Sequence, residues 1–332
     1  MARRNVFPVQ LSILKAQDLG NEVAHRYGLS GPTTCELFAQ GVNDTYVVSV
    51  GHERYALRVY RSAWRTDADV AFELDLLEHL KQVGANICAP LRTLSRELSF
   101  TLNAPEGRRR VGLFEFAVGS PPRWDKHDPE EARGYGVGVG LIHAGMDSFR
   151  SRHPRFHLDF DHLLTTPLQE LESRISHRSD DWAYLQRLAH RLHDSIGEHG
   201  EKLTRGICHG DFHGGNANRG RDGSFQFFDF DCAGPGWRAY DLAVFRWALM
   251  RRPKDYPVEA LWQAFVEGYS SRNSLKDVDL AAVPEFVAIR QIWLMGLHAT
   301  IVKTRGSGFM NDAYFDREMK ILRDWQASEL HE

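Results

Sequence analysis

Two short polar runs lie close together in the chain and carry side chains suited to one kind of chemistry. They are residues 209–216, HGDFHGGN, and residues 228–231, FDFD. Transfer of a phosphoryl group needs a carboxylate that orients or deprotonates the attacking hydroxyl, and oxygen ligands that hold Mg²⁺ on the phosphates. Asp211 suits the first task, and Asn216 and Asp229 suit the second. The two runs therefore indicate phosphoryl transfer to a hydroxyl group.

The segment between the two runs predicts how they are brought together. Residues 220–223, GRDG, have the signature of a tight turn and are flanked by apolar residues. The stretch from Ile207 to Asp231 is therefore predicted to form a loop, a strand, a tight turn, a second strand and a second loop. Such a hairpin would place Asp211, Asn216 and Asp229 at one end of a small sheet.

The spacing of the runs matches the pattern of protein kinases, H-R-D-x-x-x-x-N followed by D-F-G. The separation of Asp211 and Asn216 is the same, whereas Gly210 replaces the Arg and Asp231 replaces the final Gly. With these two departures the chain resembles the aminoglycoside phosphotransferase family, which also includes choline kinases, one type of homoserine kinase and a bacterial stress-response kinase. The resemblance covers most of the chain, from about residue 36 to residue 325.

This resemblance implies an α+β, protein-kinase-like fold with two lobes, and ATP and Mg²⁺ as cofactors. We expect a small lobe over residues 1–116, with an antiparallel sheet and a glutamate-bearing helix, to bind the nucleotide. A larger, mainly helical lobe over residues 117–332 is expected to carry the catalytic hairpin, the metal site and the acceptor pocket. His209 is expected to brace the catalytic loop, and Asp231 to touch a second metal ion or the acceptor.

Asp241 lies near the start of a helix that we predict at residues 240–251. The resemblance implies that this aspartate is structural and braces the catalytic loop. Its position alone suggests a simpler role, because aspartate is a favoured N-cap residue. We therefore expect Asp241 to support the catalytic loop, as the resemblance implies, and to cap its own helix.

In the first part of the chain, a strand predicted at residues 55–60 and a helix predicted at residues 66–84 supply a candidate ion pair. Side chains alternate along a strand, so Ala56 and Arg58 share one face. In the matching kinase pattern, V-A-I-K, the small Ala lies against adenine and the basic residue pairs with the phosphates. Glu73 shares a helix face with leucines and needs a partner there. Arg58 is the predicted partner; a surface arginine and a rim glutamate are the alternatives.

Three further residues are expected to contact ATP. The loop at residues 40–44 contains only Gly41 where protein kinases have G-x-G-x-x-G. Asn43 and its neighbours would therefore have to cover the phosphates with their backbone N–H groups. Glu115 and Phe116 belong to the expected hinge between the lobes, whose backbone would meet adenine.

Hydrophobic periodicity and turn signals predict the remaining elements. The predicted strands are 35–39, 45–50, 55–60, 98–102 and 111–116, and the predicted helices are 16–27, 66–84, 129–146, 166–177, 180–197, 240–251, 258–270, 283–303 and 311–328. The alternating glycines in the helix at 129–146 do not complete a G-x-G-x-x-G pattern, so they do not indicate dinucleotide binding.

Composition argues against several classes of protein. The chain has 332 residues, 42% of them hydrophobic, so it can bury a sizeable core in two lobes. The formal net charge of −3 gives no electrostatic case for binding nucleic acid. The four cysteines are widely spaced without a C-x-x-C pair, so neither a zinc site nor a disulfide framework is indicated.

Two segments could suggest a binding patch or a membrane span, but neither is expected to have that role. Residues 108–110, RRR, are expected to lie in a solvated turn rather than in a binding patch. The long apolar segment at residues 286–302 contains Arg290, Gln291 and His298, so we expect a buried helix rather than a membrane span. A cytoplasmic protein without membrane or nucleic-acid partners follows from these observations.

The favoured activity is transfer to a small-molecule hydroxyl. Only eleven residues, 230–240, separate Asp229 from Asp241, which leaves no room for the long activation segment of protein kinases. A stress-response-type Ser/Thr protein kinase and an inactive nucleotide-binding module are the alternatives. A metallophosphatase is a further one, because Asp211 and His213 form a D-x-H pair, but the other ligand motifs of such an enzyme are missing.

The identity of the acceptor is not determined by the sequence. An amino alcohol would favour acidic or aromatic pocket walls. Trp124, Asp125, Trp237 and Trp247 are candidates, although aromatic residues at helical spacing more often belong to the core.

Overall fold

The computed structural model describes residues 7–62, 64–123, 128–253 and 255–330. The chain divides into two compact units. The first unit comprises Met1–Gln82, Ile87–Ala117 and Ser151–Pro154, and the second comprises Val83–Asn86, Val118–Arg150 and Arg155–Glu332. That residues 1–116 bind the nucleotide and residues 117–332 hold the metal site and the acceptor stays a prediction.

The first unit is built on a five-stranded antiparallel sheet with the strand order β1-β2-β3-β5-β4. Its elements are α1 (Ala16–Tyr27), β1 (Thr33–Gln40), β2 (Asp44–Val50), β3 (Glu53–Val59), α2 (Asp67–Gln82), β4 (Phe100–Ala104) and β5 (Gly107–Glu115). All of the strands and helices predicted for this part of the chain are present, with ends that differ by a few residues.

Strand β3 separates the core of the first unit from its charged face. Leu57 and Val59 are fully buried and join a hydrophobic cluster that includes Leu19 and Val23 of α1. Arg58 lies between them in sequence, so it points to the opposite face of the strand, where it pairs with a side chain of α2. The alternation predicted from the sequence is therefore observed.

The start of α2 is fixed by a capping box. The Thr66 hydroxyl accepts a hydrogen bond from the backbone N–H of Asp69 at 3.1 Å, and the Thr66 N–H donates to the Asp69 carboxylate at 3.0 Å. This reciprocal pair satisfies two donors that a helix start leaves free. The capping signal that the sequence carries at Thr66 is confirmed.

The prediction that residues 108–110 form a solvated turn is wrong. These residues belong to β5, and Arg109 is fully buried. Its guanidinium donates to the equally buried Asp44 carboxylate at 2.7 Å and to the carbonyls of Val59 and Tyr60 at 3.0 Å. Strand alternation turns the middle arginine inward, and a charged partner makes its burial tolerable.

The second unit is mainly helical. Its helices are α3 (Pro129–Asp147), α4 (Thr166–Ile175), α5 (Ser179–His199), α6 (Arg238–Met250), α7 (Val258–Ser270), α8 (Asp277–Ala281), α9 (Val283–Arg305) and α10 (Asp312–Glu329). Four short strands form two antiparallel pairs, β6 (Arg205–Cys208) with β9 (Gly234–Trp237) and β7 (Ala217–Arg219) with β8 (Phe225–Phe227). The sequence predicted every one of these helices except α8.

The glycines of α3 allow it to pack closely against α7. A Cβ atom on Gly136 would lie 2.1 Å from the carbonyl oxygen of Phe265, and one on Gly268 of α7 would lie 2.1 Å from the carbonyl oxygen of Arg133. Real Cβ atoms do not approach backbone so closely, so both positions require glycine. Gly136, one of the alternating glycines, thus serves helix packing.

Helix α9 runs through the interior of the second unit. Its residues 286–293 are all buried, which confirms that this apolar segment is a core helix. Among the described residues, no helix is long and apolar enough to cross a membrane.

Candidate active site

The two polar runs flank the β7–β8 hairpin. Residues 209–216 form the loop between β6 and β7, and Asp229 follows β8. The side-chain amide of Asn216 donates to the Asp211 carboxylate at 2.9 Å and to the Asp211 carbonyl at 3.0 Å. The N–H of Phe228 donates to the Asn216 carbonyl at 3.0 Å. The hairpin that the sequence predicts therefore links the loop to the residue preceding Asp229.

The hydrogen bonds of Asn216 determine how its side chain is oriented. Because its Nδ2 donates twice to Asp211, its Oδ1 points away from that carboxylate. Within the described ranges, no residue donates a hydrogen bond to this oxygen. An amide oxygen held in this way fits the ligand preference of a hard divalent cation.

Asp229 has an uncommon backbone conformation. Its φ and ψ angles are 66° and 58°, in the left-handed region, and Arg96 is the other described non-glycine residue with a positive φ. Such a conformation costs about 1–3 kcal/mol and persists where the surroundings enforce it, often at functional sites. Asp231 lies in the 3-10 turn that follows and is buried.

Asp241 holds the start of the loop. Its carboxylate accepts the backbone N–H groups of His209 and Gly210, each at 2.7 Å, and it lies 2.9 Å from His143 Nε2. The predicted N-cap role is wrong, because α6 begins at Arg238 and has no side-chain cap. The fully buried carboxylate is occupied by the loop backbone and by an imidazole instead.

His143 is a neutral partner of Asp241. Burial lowers the pKa of His143 to about 4, and the charge of Arg238 acts in the same direction. A neutral ring that faces a carboxylate through Nε2 must carry its proton on that nitrogen, so Nδ1 accepts from the Tyr269 hydroxyl at 3.0 Å. A chain of hydrogen bonds thus connects α7 and α3 to the loop.

The buried His209 side chain forms hydrogen bonds with the backbone at two places in the site. Its Nδ1 accepts the N–H of Asp211 at 3.2 Å, and its Nε2 donates to the carbonyl of Phe228 at 3.1 Å. Burial lowers the pKa of this fully buried imidazole. With both nitrogens occupied by backbone groups, His209 connects the residues around Asp211 to those around Asp229.

Arg290 of α9 is the main feature of the site that sequence analysis missed. Its guanidinium donates to the Asp211 carboxylate and, at 3.3 Å, to the carbonyl of Gly210. The rings of Trp247 and Trp293 lie 5.1 and 4.4 Å from it. The signal was a charge inside an apolar helix, which requires a buried partner. That partner, Asp211, lies 79 residues earlier and could not be identified from the sequence.

The charges around Asp211 keep it ionised. Burial by itself raises the pKa of Asp211, but the Arg290 guanidinium and then His213 hold that pKa below its ordinary value. For His213, burial lowers the pKa, whereas the Asp211 carboxylate raises it above its ordinary value. Asp211 therefore has a carboxylate that can accept a hydrogen bond at neutral pH.

In the first unit, Arg58 and Glu73 form an ion pair at 3.3 Å. The Glu73 side chain is 1% exposed and the Arg58 side chain 15%, so the arginine is the more accessible partner. Ala56 lies on the same face of β3, two residues before Arg58.

The other predicted nucleotide residues lie at the ends of strands. The Asn43 side chain accepts the N–H of Arg61 at 3.0 Å, and the Arg61 guanidinium donates to the Gly41 carbonyl at 3.1 Å. Asn43 is therefore engaged in holding its own loop. Glu115 ends β5 and accepts the Ala89 N–H at 3.3 Å, and the Arg54 guanidinium lies 4.1 Å from the centre of the Phe116 ring.

Two of the aromatic residues considered as acceptor-pocket walls, Trp237 and Trp247, are buried. Trp237 is 2% exposed, and Trp247 is 8% exposed with the guanidinium groups of Arg290 and Arg251 against its ring. Trp124 and Asp125 lie outside the described residues.

Comparisons with known proteins identify relatives of the chain. Residues 34–275 match the model of a phosphotransferase enzyme family. An uncharacterized protein of Deinococcus radiodurans is 37% identical, with 96% of this chain and 92% of that protein covered. An amicoumacin kinase of Bacillus subtilis is 24% identical, with 83% and 82% covered. A solved amicoumacin kinase in complex with AMP-PNP, Ca²⁺ and Ami superimposes with a TM-score of 0.72 at 19% identity, covering 93% of each chain.

The chain belongs to this phosphotransferase enzyme family. The resemblance drawn from the two polar runs is thereby confirmed, as are the kinase-like fold and the assignment as a phosphotransferase. The metallophosphatase interpretation is wrong.

Proposed function

We propose that the chain is an ATP-dependent O-phosphotransferase that moves the γ-phosphoryl group of Mg-ATP to a hydroxyl of a small molecule. The observation that carries this proposal is the direct contact of Asp211 with Asn216 in the loop that the hairpin links to Asp229. These side chains are the carboxylate and the oxygen ligands that phosphoryl transfer requires. Family membership supports the class of reaction.

Asp211 is the proposed catalytic residue. Its low pKa makes it a weak base, but the loose transition state of phosphoryl transfer demands little proton abstraction before bond formation. Its main task is then to accept a hydrogen bond from the acceptor hydroxyl and to aim that oxygen at the γ-phosphorus. Contacts from Arg290 and Asn216 fix the direction in which the carboxylate faces.

Asn216 Oδ1 and the Asp229 carboxylate are the proposed ligands of Mg²⁺, and Asp231 is the proposed contact of a second ion. One amide oxygen and one carboxylate, completed by water and phosphate oxygens, form the ligand set that Mg²⁺ prefers. When bound, the cation neutralises charge on the transferring phosphoryl group. The solved amicoumacin kinase is in complex with AMP-PNP and Ca²⁺, which supports a divalent cation here.

Arg58, held by Glu73, is the proposed partner of the α- and β-phosphates. The Arg58 side chain is 15% exposed, so an anion can approach its guanidinium from solvent. We assign Ala56, Glu115 and Phe116 to the adenine, and the backbone of the Asn43 loop to the phosphates.

A small acceptor is favoured by the segment that follows Asp229. Residues 230–240 form a 3-10 turn, strand β9 paired with β6, and the first turn of α6. The segment is thus committed to regular structure and offers no activation loop of the kind that protein kinases use. Amicoumacin kinase, a relative over most of the chain, is named for a small molecule.

The test is ADP release with Mg-ATP against a panel of acceptors. The panel contains homoserine, choline, ethanolamine, hydroxylysine, aminoglycosides and a generic protein substrate, with Asp211→Asn as the blank. We expect one small acceptor to turn over, and Asp211→Asn to reduce the rate about 10²–10⁴-fold. Full turnover by Asp211→Asn would refute the assigned mechanism, and phosphate found solely on protein would refute the small-molecule acceptor.

A further inference from the structure

His213 lies beside Asp211 with a defined orientation. The N–H of Gly215 donates to His213 Nδ1 at 3.1 Å, so in the neutral ring the proton is on Nε2. That nitrogen lies 3.5 Å from Asp211 Oδ2. The donor of His213 and an acceptor of Asp211 therefore face each other across a distance too long for a strong direct hydrogen bond.

The loop is shaped to hold this imidazole. The N–H of His213 donates to the Asp211 carbonyl at 2.9 Å, which closes a tight turn between them. A Cβ atom on Gly215 would lie 2.6 Å from Cε1 of the His213 ring and 2.9 Å from its Nδ1. Glycine at this position is therefore required for the ring to lie where it does.

His213 also differs from the other histidines of the site in exposure. Its side chain is 33% exposed and that of Asp211 is 19% exposed, whereas His209 and His143 are fully buried. A molecule arriving from solvent can thus reach the side chains of His213 and Asp211. The two buried imidazoles hold backbone or Asp241, and the mechanism above gives His213 no task.

We propose that His213 holds the acceptor hydroxyl against Asp211. An oxygen atom about 2.8 Å from both Nε2 and Oδ2 completes a triangle whose third side is the observed 3.5 Å. In this arrangement Nε2–H donates to the acceptor oxygen, and the hydroxyl donates to Asp211. His213 and Asp211 together orient the hydroxyl, one as donor and the other as acceptor. This inference rests on the proposed function, because it assigns His213 to the acceptor of that reaction.

The chemical step then balances without a further reactant. The acceptor oxygen forms a bond to the γ-phosphorus of ATP, and the bond from that phosphorus to the β–γ bridging oxygen breaks. Its electron pair leaves with ADP, and the hydroxyl proton passes to Asp211. His213 keeps its proton throughout, so it is a catalytic residue by contact with the reacting oxygen, and it is not the base.

The test compares His213→Ala, His213→Gln and Gly215→Ala in the full chain with Mg-ATP. The probe acceptor is the panel member that turns over fastest, or water if none does, and ADP release is the readout. We expect His213→Ala to lower kcat/KM for the acceptor about tenfold, which corresponds to the loss of one hydrogen bond. KM for ATP should stay within about twofold of the wild type. With water as acceptor, the rate at saturating ATP should fall about tenfold.

Two variants separate this role from a general disturbance of the loop. Gln places an amide donor near the former Nε2, so His213→Gln should recover most of the loss. Gly215→Ala leaves His213 in place but displaces its ring, so it should reproduce the defect of His213→Ala. His190→Asn, at an 82% exposed position on α5, is the matched control and should have wild-type constants.

Three results would overturn the inference: unchanged acceptor kinetics in His213→Ala, an equal rise of KM for ATP and for the acceptor, or wild-type behaviour of Gly215→Ala. Asp211→Asn in the same assay distinguishes the two levels of proposal. If Asp211→Asn is inactive while His213→Ala is normal, the inference about His213 alone fails. If Asp211→Asn is fully active, the proposed function fails.

Discussion

The two units hold their charged side chains by different means. In the first unit, Arg58 and Glu73 lie on β3 and α2, and ordinary strand and helix geometry turns them toward each other. In the second unit, the loop at residues 209–216 has no regular structure, and its shape is held by Asp241 and Arg290, which lie far along the chain. A regular element positions a charge by periodicity, whereas an irregular loop depends on a buried polar network.

This difference has an energetic consequence. Loss of one partner in a buried network leaves the remaining charge or donor unsatisfied, at a cost of about 1–3 kcal/mol and more for charged groups. Loss of one partner on a regular element leaves the backbone in place. Substitutions in the loop network should therefore have larger effects than equivalent ones at the Arg58–Glu73 pair.

Among the residues that support the loop, the largest effect is expected for Arg290→Met. The variant removes the hydrogen bonds that Arg290 donates to the Asp211 carboxylate and to the Gly210 carbonyl. Neither the orientation of the carboxylate nor the loop backbone is then held by this side chain. We expect kcat to fall about 10²–10³-fold, as for loss of a preorganised donor in other active sites. Steady-state kinetics at saturating ATP and acceptor measure this change, and Arg290→Lys should retain part of the rate.

Arg251→Met is the control for Arg290→Met. The Arg251 guanidinium also lies against the Trp247 ring, at 5.3 Å, but pairs with Glu318 instead of the catalytic loop. The Glu318 carboxylate is 1% exposed, so the variant should lose stability. Its kcat, measured on folded protein, should stay within about threefold of the wild type. A similar loss of kcat in both variants would show that the aromatic contact, rather than the loop network, sets the rate.

The same difference explains how much could be predicted from the sequence. Alternation along residues 55–60 and helical spacing along residues 66–84 were sufficient to predict the Arg58–Glu73 pair, because both signals are local. The D-x-x-x-x-N spacing and the GRDG turn were likewise sufficient for the hairpin. The partner of Arg290 could not be predicted, since it depends on how α9 packs in three dimensions.

Two errors have the same origin. Asp241 resembled an N-cap because its neighbours in sequence form a helix start, yet its partners His209 and Gly210 lie about thirty residues earlier. Arg109 resembled a surface residue because it lies in a triple-arginine run, yet Asp44 pairs with it in the core. In each case a long-range polar contact outweighed the local pattern.

A substitution between α3 and α7 tests how much their close packing stabilises the second unit. Gly136→Ala places a methyl group 2.1 Å from the Phe265 carbonyl oxygen, so the helices must separate. We expect a loss of about 3 kcal/mol in the free energy of unfolding, measured by urea denaturation. Gly197→Ala in α5, where a Cβ atom meets nothing within 4 Å, should instead add about 0.5–1 kcal/mol. Equal stabilities for the two variants would contradict the packing argument.

His143 gives the loop network a pH dependence. Burial lowers the pKa of His143 from 6.5 to about 4, so the unfolded chain binds this proton more tightly than the folded one. The stability contributed by the neutral ring is complete above about pH 6.5 and is lost as the pH falls toward 4. Between pH 7.5 and pH 5 the loss should be about 2 kcal/mol.

His143→Gln isolates this contribution, because glutamine cannot be protonated in that range. Urea midpoints at pH 7.5 and pH 5 should differ less for the variant than for the wild type, by the equivalent of about 2 kcal/mol. The variant is expected to be less stable at pH 7.5, since its amide must replace two hydrogen bonds of the ring. Parallel pH dependences for both proteins would show that His143 is not the titrating group.

The smallest effect is expected at the regular pair, from Glu73→Gln. Its carboxylate is 1% exposed and holds Arg58 at 3.3 Å, so loss of its charge should free the arginine to change rotamer without moving β3 or α2. We expect KM for ATP to rise about threefold to tenfold, and kcat to change by less than twofold. Glu78→Gln on the same helix, which frees the exposed Arg92, should leave both constants unchanged. If Glu73→Gln instead lowered kcat as strongly as Arg290→Met, the regular elements would need the same continuous polar support as the loop, and the contrast between the two units would be wrong.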